Sequence, residues 1–132
     1  LTYSFIEMNE ERSHPNTAVL QLYKDEEELV IEGVSIGGGK IELVSINGYG
    51  INISGNYHAL LVFHKDEFGT IARVTTKLGD EKLNISQMSV SRKEKGQVAL
   101  MTVELDDTVS ASTLEEIRAV KGVDRVIEMT GG

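Results

Sequence analysis

The order of hydrophobic patterns along the 132 residues predicts an α+β chain in two parts. Three observations carry this. Residues 1–54 show apolar alternation broken by turn signals and nothing with helical period. Residues 57–132 carry two amphipathic stripes, at 71–78 and 114–120, each flanked by strand-like runs. The turn signals Asn47-Gly48 and KEKG (93–96) sit between runs that read as hairpin arms.

In the first part, LTYSFIEM (1–8) alternates loosely, and the polar run 9–17 is a loop, because Pro15 does not fit a central strand. AVLQLY (18–23) is a strand, KDEEE (24–28) a charged turn, and LVIEGVSI (29–36) a strand that Gly37-Gly38-Gly39 breaks. KIELVSI (40–46) and GINIS (50–54) are joined by Asn47-Gly48, which reads as a type I′ turn. This is a partial antiparallel β unit, residues 1–54. The chain opens in what reads as mid-strand, so a fragment of a longer polypeptide is expected.

In the second part, YHALLVFH (57–64) is apolar enough for a strand buried on both faces. HKDEFG (64–69) is a tight loop. Ile71, Val74 and Leu78 form the stripe of a helix that stops at Gly79 or runs one turn further, to Lys82. NISQMSVSR (84–92) and QVALMTVEL (97–105) are hairpin strands, with Met88 and Met101 read as core filler. Ser112-x-x-Glu115 reads as a capping box before a helix lined by Leu114, Ile117 and Val120 and stopped at Gly122. VDRVIEM (123–129) is the last strand. The order β-α-β-β-α-β is that of a ferredoxin-like unit, an antiparallel sheet with two helices on one face.

Composition excludes several function classes. With 13 basic and 21 acidic residues the formal charge is −8, without the basic clustering that nucleic acid requires. The absence of cysteine excludes disulfides, thiolate metal sites and a cysteine nucleophile in this chain. No apolar run approaches the ~20 residues of a membrane span. Nor does a charged segment precede an apolar run as in a secretory signal, so a soluble, cytoplasmic protein is expected. The sequons at Asn52 and Asn84 are then accidental matches.

Candidate chemistry concentrates in three segments. Gly37-Gly38-Gly39-Lys40 is no phosphate loop, because Ile41 and a strand follow it. The glycines still allow a bend, a bulge or a close backbone contact. His14-Pro15-Asn16-Thr17 gathers an imidazole, an amide and a hydroxyl in a stiffened loop, read as a capped turn or a functional loop. His64-Lys65-Asp66-Glu67-Phe68-Gly69 precedes a helix whose free amides suit a small carboxylate. Gly69 permits close approach, and His64 and Asp66 are placed for its hydroxyl and ammonium groups; a solvated strand–helix turn is the alternative. No metal-ligand set is readable from His14, His58 and His64.

With these elements placed, the run YHALLVFHKDEFGTIARVTTKLGDEKLNISQMSVSRKEKGQVALMTVELDD (57–107) resembles an ACT domain, a regulatory module that binds amino acids. The resemblance implies paired ACT units, a homodimer, with the effector between two copies. In the serine-sensing branch, that of phosphoglycerate dehydrogenase, a histidine and an asparagine of the first loop and an asparagine of the second copy hold the ligand. Their positions here are His64, Asp66 and Asn84; Asp66 replaces the first asparagine, and Phe68 stands where proline is common.

The whole chain is similar to something narrower, the β subunits of bacterial iron–sulfur L-serine dehydratases. The carriers are HPNT (14–17), GVSIGGGKIEL (33–43) and NGYGINISGNYHALLVFHKDEFGTIA (47–72), in that order. The family's Ser-Ser-Ser-His-Thr segment is absent from this chain. The resemblance implies that residues 1–54 are the later strands of an allosteric-substrate-binding domain and 57–132 an ACT domain. It implies an α subunit that ligates a [4Fe–4S] cluster, none being bound by this chain, and dehydration of L-serine to pyruvate and ammonia. His14, Asn16, Ser35 and the backbone of Gly37, Gly38 and Gly39 are then expected to face the α subunit's active site. His64, Asp66, Gly69 and Asn84 are expected to bind L-serine or a related amino acid, and the chain alone is expected to be inactive. The alternatives are the regulatory tail of a phosphoglycerate dehydrogenase, or a free-standing ACT-type interaction protein.

Overall fold

The computed structural model describes residues 4–8, 17–24, 27–37, 40–54 and 58–129, with side chains at 29–34, 42–53 and 58–129. Contacts divide the chain into two units, Leu1–Gly55 and Asn56–Gly132.

The first unit is a five-stranded antiparallel meander of β1 (Ser4–Met8), β2 (Thr17–Lys24), β3 (Glu27–Gly37), β4 (Lys40–Ile46) and β5 (Tyr49–Ser54), in sequence order. The strands are longer than their apolar cores. Lys24 pairs with Glu27, so the expected charged turn 24–28 shrinks and its outer residues join the ladder. Gly37 pairs with Lys40, so β3 continues through the first glycine of the triplet rather than breaking there.

A bulge sets the faces of β4. Glu32 pairs with Ser45 and Gly33 with Leu43, which leaves Val44 unmatched. The extra residue shifts the side-chain parity, so Leu43 and Ile46, three apart, are both buried. The β4–β5 turn has Asn47 at φ 50° and Gly48 at φ 81°, the two positive angles of a type I′ turn. Asn47 is further fixed to β3: its backbone N donates to Val30 O at 2.8 Å, and its Oδ1 accepts from Val30 N at 2.7 Å.

The second unit comprises β6 (His58–Lys65), α1 (Thr70–Asp80), β7 (Ile85–Arg92), β8 (Val98–Leu105), α2 (Ala111–Arg118) and β9 (Val123–Met129). Its antiparallel sheet has the order β7-β8-β6-β9. The fold class is therefore the α+β, βαββαβ arrangement that the patterns predict. Leu60 and Val62 of β6, Met101, Val103 and Leu105 of β8, and Val126 of β9 pack with Val74 and Leu78 of α1 and Ile117 of α2 in one buried cluster. All residues from Ala59 to His64 are buried, so both faces of β6 are covered.

The helix ends differ from their sequence signals. α1 runs through Gly79 to Asp80 and closes in a Schellman motif: Leu83 N donates to Leu78 O at 3.1 Å, and Lys82 N to Gly79 O at 2.9 Å. The left-handed position of that motif is held by Lys82, at φ 63°, not by a glycine. The cap of α2 is Ser110, whose Oγ accepts from Thr113 N at 3.2 Å, while Ser112 lies inside the helix. Its reciprocal carboxylate is not Glu115 but Glu81 beside the end of α1, whose Oε1 accepts from Ser110 N at 2.9 Å. Ala119 caps the C-terminus of α2, and Gly122, at φ 97°, turns the chain into β9. Met101 is buried, as core filler should be; Met88, on the edge strand β7, is 41% exposed and is not.

Candidate functional site

The junction of β6 with α1 is held on two sides. Lys65 N donates to Gly122 O at 2.8 Å, and Asp66 N to Gln97 O at 2.8 Å, so the loop is tied to the entry of β9 and to the β7–β8 hairpin. Gly69 then takes φ 83° at the start of α1. A Cβ at Gly69 would lie 2.7 Å from Arg73 Nη1. No side chain caps this helix, so its first-turn amides are satisfied by no capping oxygen of the loop.

His64 ends the buried run of β6 and is itself 1% exposed. Its Nδ1 lies 2.8 Å from Lys65 O. A carbonyl only accepts, so Nδ1 carries a proton, and in the tautomer with that proton alone Nε2 is an acceptor. Nε2 is buried without a hydrogen-bond partner. A buried orphan acceptor is costly, and a ligand hydroxyl or ammonium is the complementary donor.

Asp66 is committed to the hairpin. Its Oδ2 accepts from Arg92 Nη1 at 2.7 Å and from Gly96 N at 3.0 Å. The Gly96 amide first, then the Arg92 guanidinium, hold its carboxyl below the usual carboxylate range. Asp66, Glu67, Phe68, Arg92, Lys95 and Gly96 line a pocket of about 410 Å³, and Phe68 on it is fully exposed. A larger groove, about 570 Å³, runs between α1 and α2 and contains none of the expected site residues.

The expected effector residues thus divide. His64, Asp66 and Gly69 lie together at one end of the sheet. Asn84 lies at the other: it precedes Ile85, which pairs with Leu105, which pairs with His58, six residues before His64 along β6. At the rise of a strand that is about 20 Å. Asn84 Nδ2 donates there to Asp106 Oδ2 at 2.7 Å. In the first unit, Ser35 pairs with Ile41 and Gly37 with Lys40; His14, Asn16, Gly38 and Gly39 lie outside the described residues. Arg92 and Gly96 were not singled out in the sequence. The signal was the four-residue loop 93–96, which sets Arg92 opposite Ala99 and brings Gly96 to the end of β6.

Among the described residues no group of three His, Cys, Asp or Glu side chains is arranged for a metal ion, and no helix is long and apolar enough to cross a membrane.

A family model of the ACT domain matches residues 58–122. The chain is 42% identical over 116 residues to the probable L-serine dehydratase beta chain of Bacillus subtilis, covering 88% of this chain and 53% of that one. It is 31% identical over 127 residues to the L-serine dehydratase beta chain of Peptoniphilus asaccharolyticus, covering 95% and 56%. A D-3-phosphoglycerate dehydrogenase of Methanocaldococcus jannaschii is 29% identical over 116 residues, 88% of this chain but 22% of the dehydrogenase. The chain spans about half the length of the two dehydratase chains it matches. With the βαββαβ order, the β7-β8-β6-β9 sheet and the family match in agreement, the second unit is an ACT domain, carried by a chain that is similar to L-serine dehydratase beta chains along nearly its whole length.

Proposed function

We propose that this chain is part of the regulatory, site-completing β subunit of an iron–sulfur L-serine dehydratase, acting with an α subunit to convert L-serine to pyruvate and ammonia. The observation that carries the reading is that similarity to two dehydratase beta chains extends through both units, not the ACT domain alone. The residues present do not fit an iron–sulfur cluster: the chain has no cysteine, and the described residues form no metal-binding group. In this reading the cluster and the chemistry belong to the α subunit. His14, Asn16, Ser35 and Gly37–Gly39 face it, and residues 1–54 are the later part of the allosteric-substrate-binding domain.

The ACT domain senses L-serine or a related amino acid at the β6–α1 junction. His64 Nε2 is the acceptor for the ligand's hydroxyl, the first amides of α1 face its carboxylate across Gly69, and Asp66 lies on the ammonium side. Two ACT domains pair through β7. This edge strand has no proline, and no charged residue before Arg92, whereas the other edge, β9, carries Asp124, Arg125 and Glu128. Met88 and Val90 on β7 are exposed apolar side chains. An antiparallel β7–β7 pair sets the start of one strand beside the end of the other. Asn84 of a second copy then reaches the Arg92–Asp66 end, which a single chain's Asn84 does not.

Reconstitution tests the reading. Pyruvate formation from L-serine is expected to require both the α subunit and a full-length version of this β chain; α activity that the β chain leaves unchanged contradicts it. A second reading, the regulatory tail of a phosphoglycerate dehydrogenase, draws on the Methanocaldococcus jannaschii similarity across 88% of this chain. A dinucleotide-binding fingerprint encoded upstream decides for the tail, and the Ser-Ser-Ser-His-Thr segment decides for the dehydratase.

A further inference from the structure

The groove of about 570 Å³ between the two ACT helices has Ala72, Arg73, Thr76 and Lys77 of α1 on one bank and Glu116 and Ala119 at the end of α2 on the other. Lys77 is half-buried and the other five are exposed. Ala72, Thr76 and Ala119 are short, so a further element laid along the groove approaches both helices closely. Arg73 and Lys77 stand one helical turn apart on the same edge of α1. Arg73 donates through Nη2 to two neutral acceptors, Thr70 Oγ1 at 3.4 Å and Lys121 O at 3.3 Å, so its charge is fixed in place without being neutralised. Neither cation, nor Glu116 on the opposite bank, makes an ion pair among the described residues.

We propose that this groove is a docking site for the α subunit, entered by an amphipathic helix that sets carboxylates against Arg73 and Lys77. The proposal rests on the dehydratase reading above and adds to it a contact surface on the ACT domain. Charge argues for the partner. The chain carries −8, yet this face presents two unpaired cations against one carboxylate. An acidic segment is repelled by the net charge of the chain and drawn to this face of it.

Shape argues for a helix. A third helix lying along two others seats one apolar stripe in the furrow between them, and carboxylates at i and i+4 on its flank have the spacing of Arg73 and Lys77. A second copy of the chain fits less well. Two copies that match Lys77 of one to Glu116 of the other across the groove share a twofold axis running along the helices. That axis does not meet the axis of a β7–β7 pair at the sheet edge, so an assembly using both contacts never closes. Docking of a different polypeptide leaves the β7 pair as it is.

Assembly of the α subunit with a full-length version of this β chain, read by sedimentation and by hydrogen exchange, tests this. Amides of α1 and α2 are expected to exchange in the free β chain and to slow by about tenfold when the α subunit is added. A72W, which fills the groove, and K77E are each expected to weaken assembly by about tenfold or more. E116K, which removes the opposing carboxylate, is expected to strengthen it by about threefold. Thermal melting establishes that each variant is folded. A72W or K77E that assembles as the wild type does overturns the docking site and leaves the dehydratase reading intact. Should K77E not fold, K77Q at wild-type affinity overturns it. E116K that weakens assembly as K77E does overturns the acidic helix. Helices already protected in the free β chain show that the chain covers its own groove, and a β chain whose mass falls in K77E alone shows self-pairing there; either overturns the proposal. A wild-type β chain that does not assemble with the α subunit overturns the docking site together with the dehydratase reading.

Discussion

Glu81, at the C-terminal cap of α1, accepts a hydrogen bond through Oε1 from the backbone N–H of Ser110, the N-cap of α2, at 2.9 Å. The two ACT helices are therefore joined by a capping box whose two halves come from different helices. Ser110 Oγ serves Thr113 N, and Glu81 serves Ser110 N. S110A is expected to lower stability by about 1 kcal/mol. E81Q and S110A combined are expected to cost less than the sum of the two, because they dismantle one cap. A double-mutant cycle by chemical denaturation reads this, and strict additivity contradicts it.

Acid should expose the same contacts. The side chain of Thr113 first, then the hydroxyl and amide of Ser110, hold the Glu81 carboxyl below its ordinary range; the Gly96 amide and Arg92 do so for Asp66. A carboxyl whose folded pKa is depressed binds its proton more readily in the unfolded chain. Its contribution is thus fully present above the unfolded value of about 4 and is lost as pH falls through the lower folded value. Melting temperature is expected to be insensitive to these groups at neutral pH and to fall below about pH 4. The acid limb should flatten in D66N and E81Q. An acid limb unchanged in both variants contradicts the assignment.

Two glycines of the ACT domain should respond oppositely to alanine. At Gly122, φ is +97° and a Cβ would lie 2.7 Å from Glu67 Oε1 and 3.0 Å from Thr70 Oγ1, so G122A is expected to destabilise by about 1–3 kcal/mol. Gly79 lies inside α1 with nothing within 4 Å of a Cβ, so G79A is expected to stabilise by about 0.5–1 kcal/mol. Denaturant midpoints of the two variants check the signs.

The left-handed position of the Schellman motif offers a third backbone test. Lys82 pays a steric penalty at φ 63° that glycine does not. K82G is expected to raise stability by up to about 1 kcal/mol, with the unfolded chain's extra freedom offsetting part of the gain. A lower melting temperature for K82G contradicts this account of the α1 terminus.

Much of the fold was legible because its signals are local. The type I′ turn needs two positive φ angles, and Asn47-Gly48 is the pair that takes them most readily. The stripe Val74–Leu78 and the unbroken apolar run of β6 are likewise written in consecutive residues. What escaped the sequence depends on partners far along the chain. Ser112-x-x-Glu115 has the spacing of a capping box, yet a carboxylate 29 residues before Ser110 supplies the cap. Met88 has the chemistry of core filler but sits on an edge strand, which nothing in its neighbours announces. For α1 the sequence left two ends open, at Gly79 or one turn further at Lys82; the helix runs to Asp80, and the Leu83–Leu78 bond closes it just beyond.

The candidate site was legible to a similar degree. The segment His64–Gly69 stands out by its residue types, and the chain direction alone sets it before a helix. Arg92 does not stand out: its meeting with Asp66 follows from strand register, which brings residues 26 apart to one pocket. The separation of Asn84 from His64 is equally a consequence of register.

The most direct measurement is calorimetric titration of the chain with L-serine, with D-serine and glycine as controls, on the wild type and on H64A and N84A. The account predicts binding of L-serine in preference to both controls, and its loss in each variant: His64 supplies the orphan acceptor, and Asn84 completes the site from a second copy. L-serine titrating into H64A and N84A as it does into the wild type would contradict it.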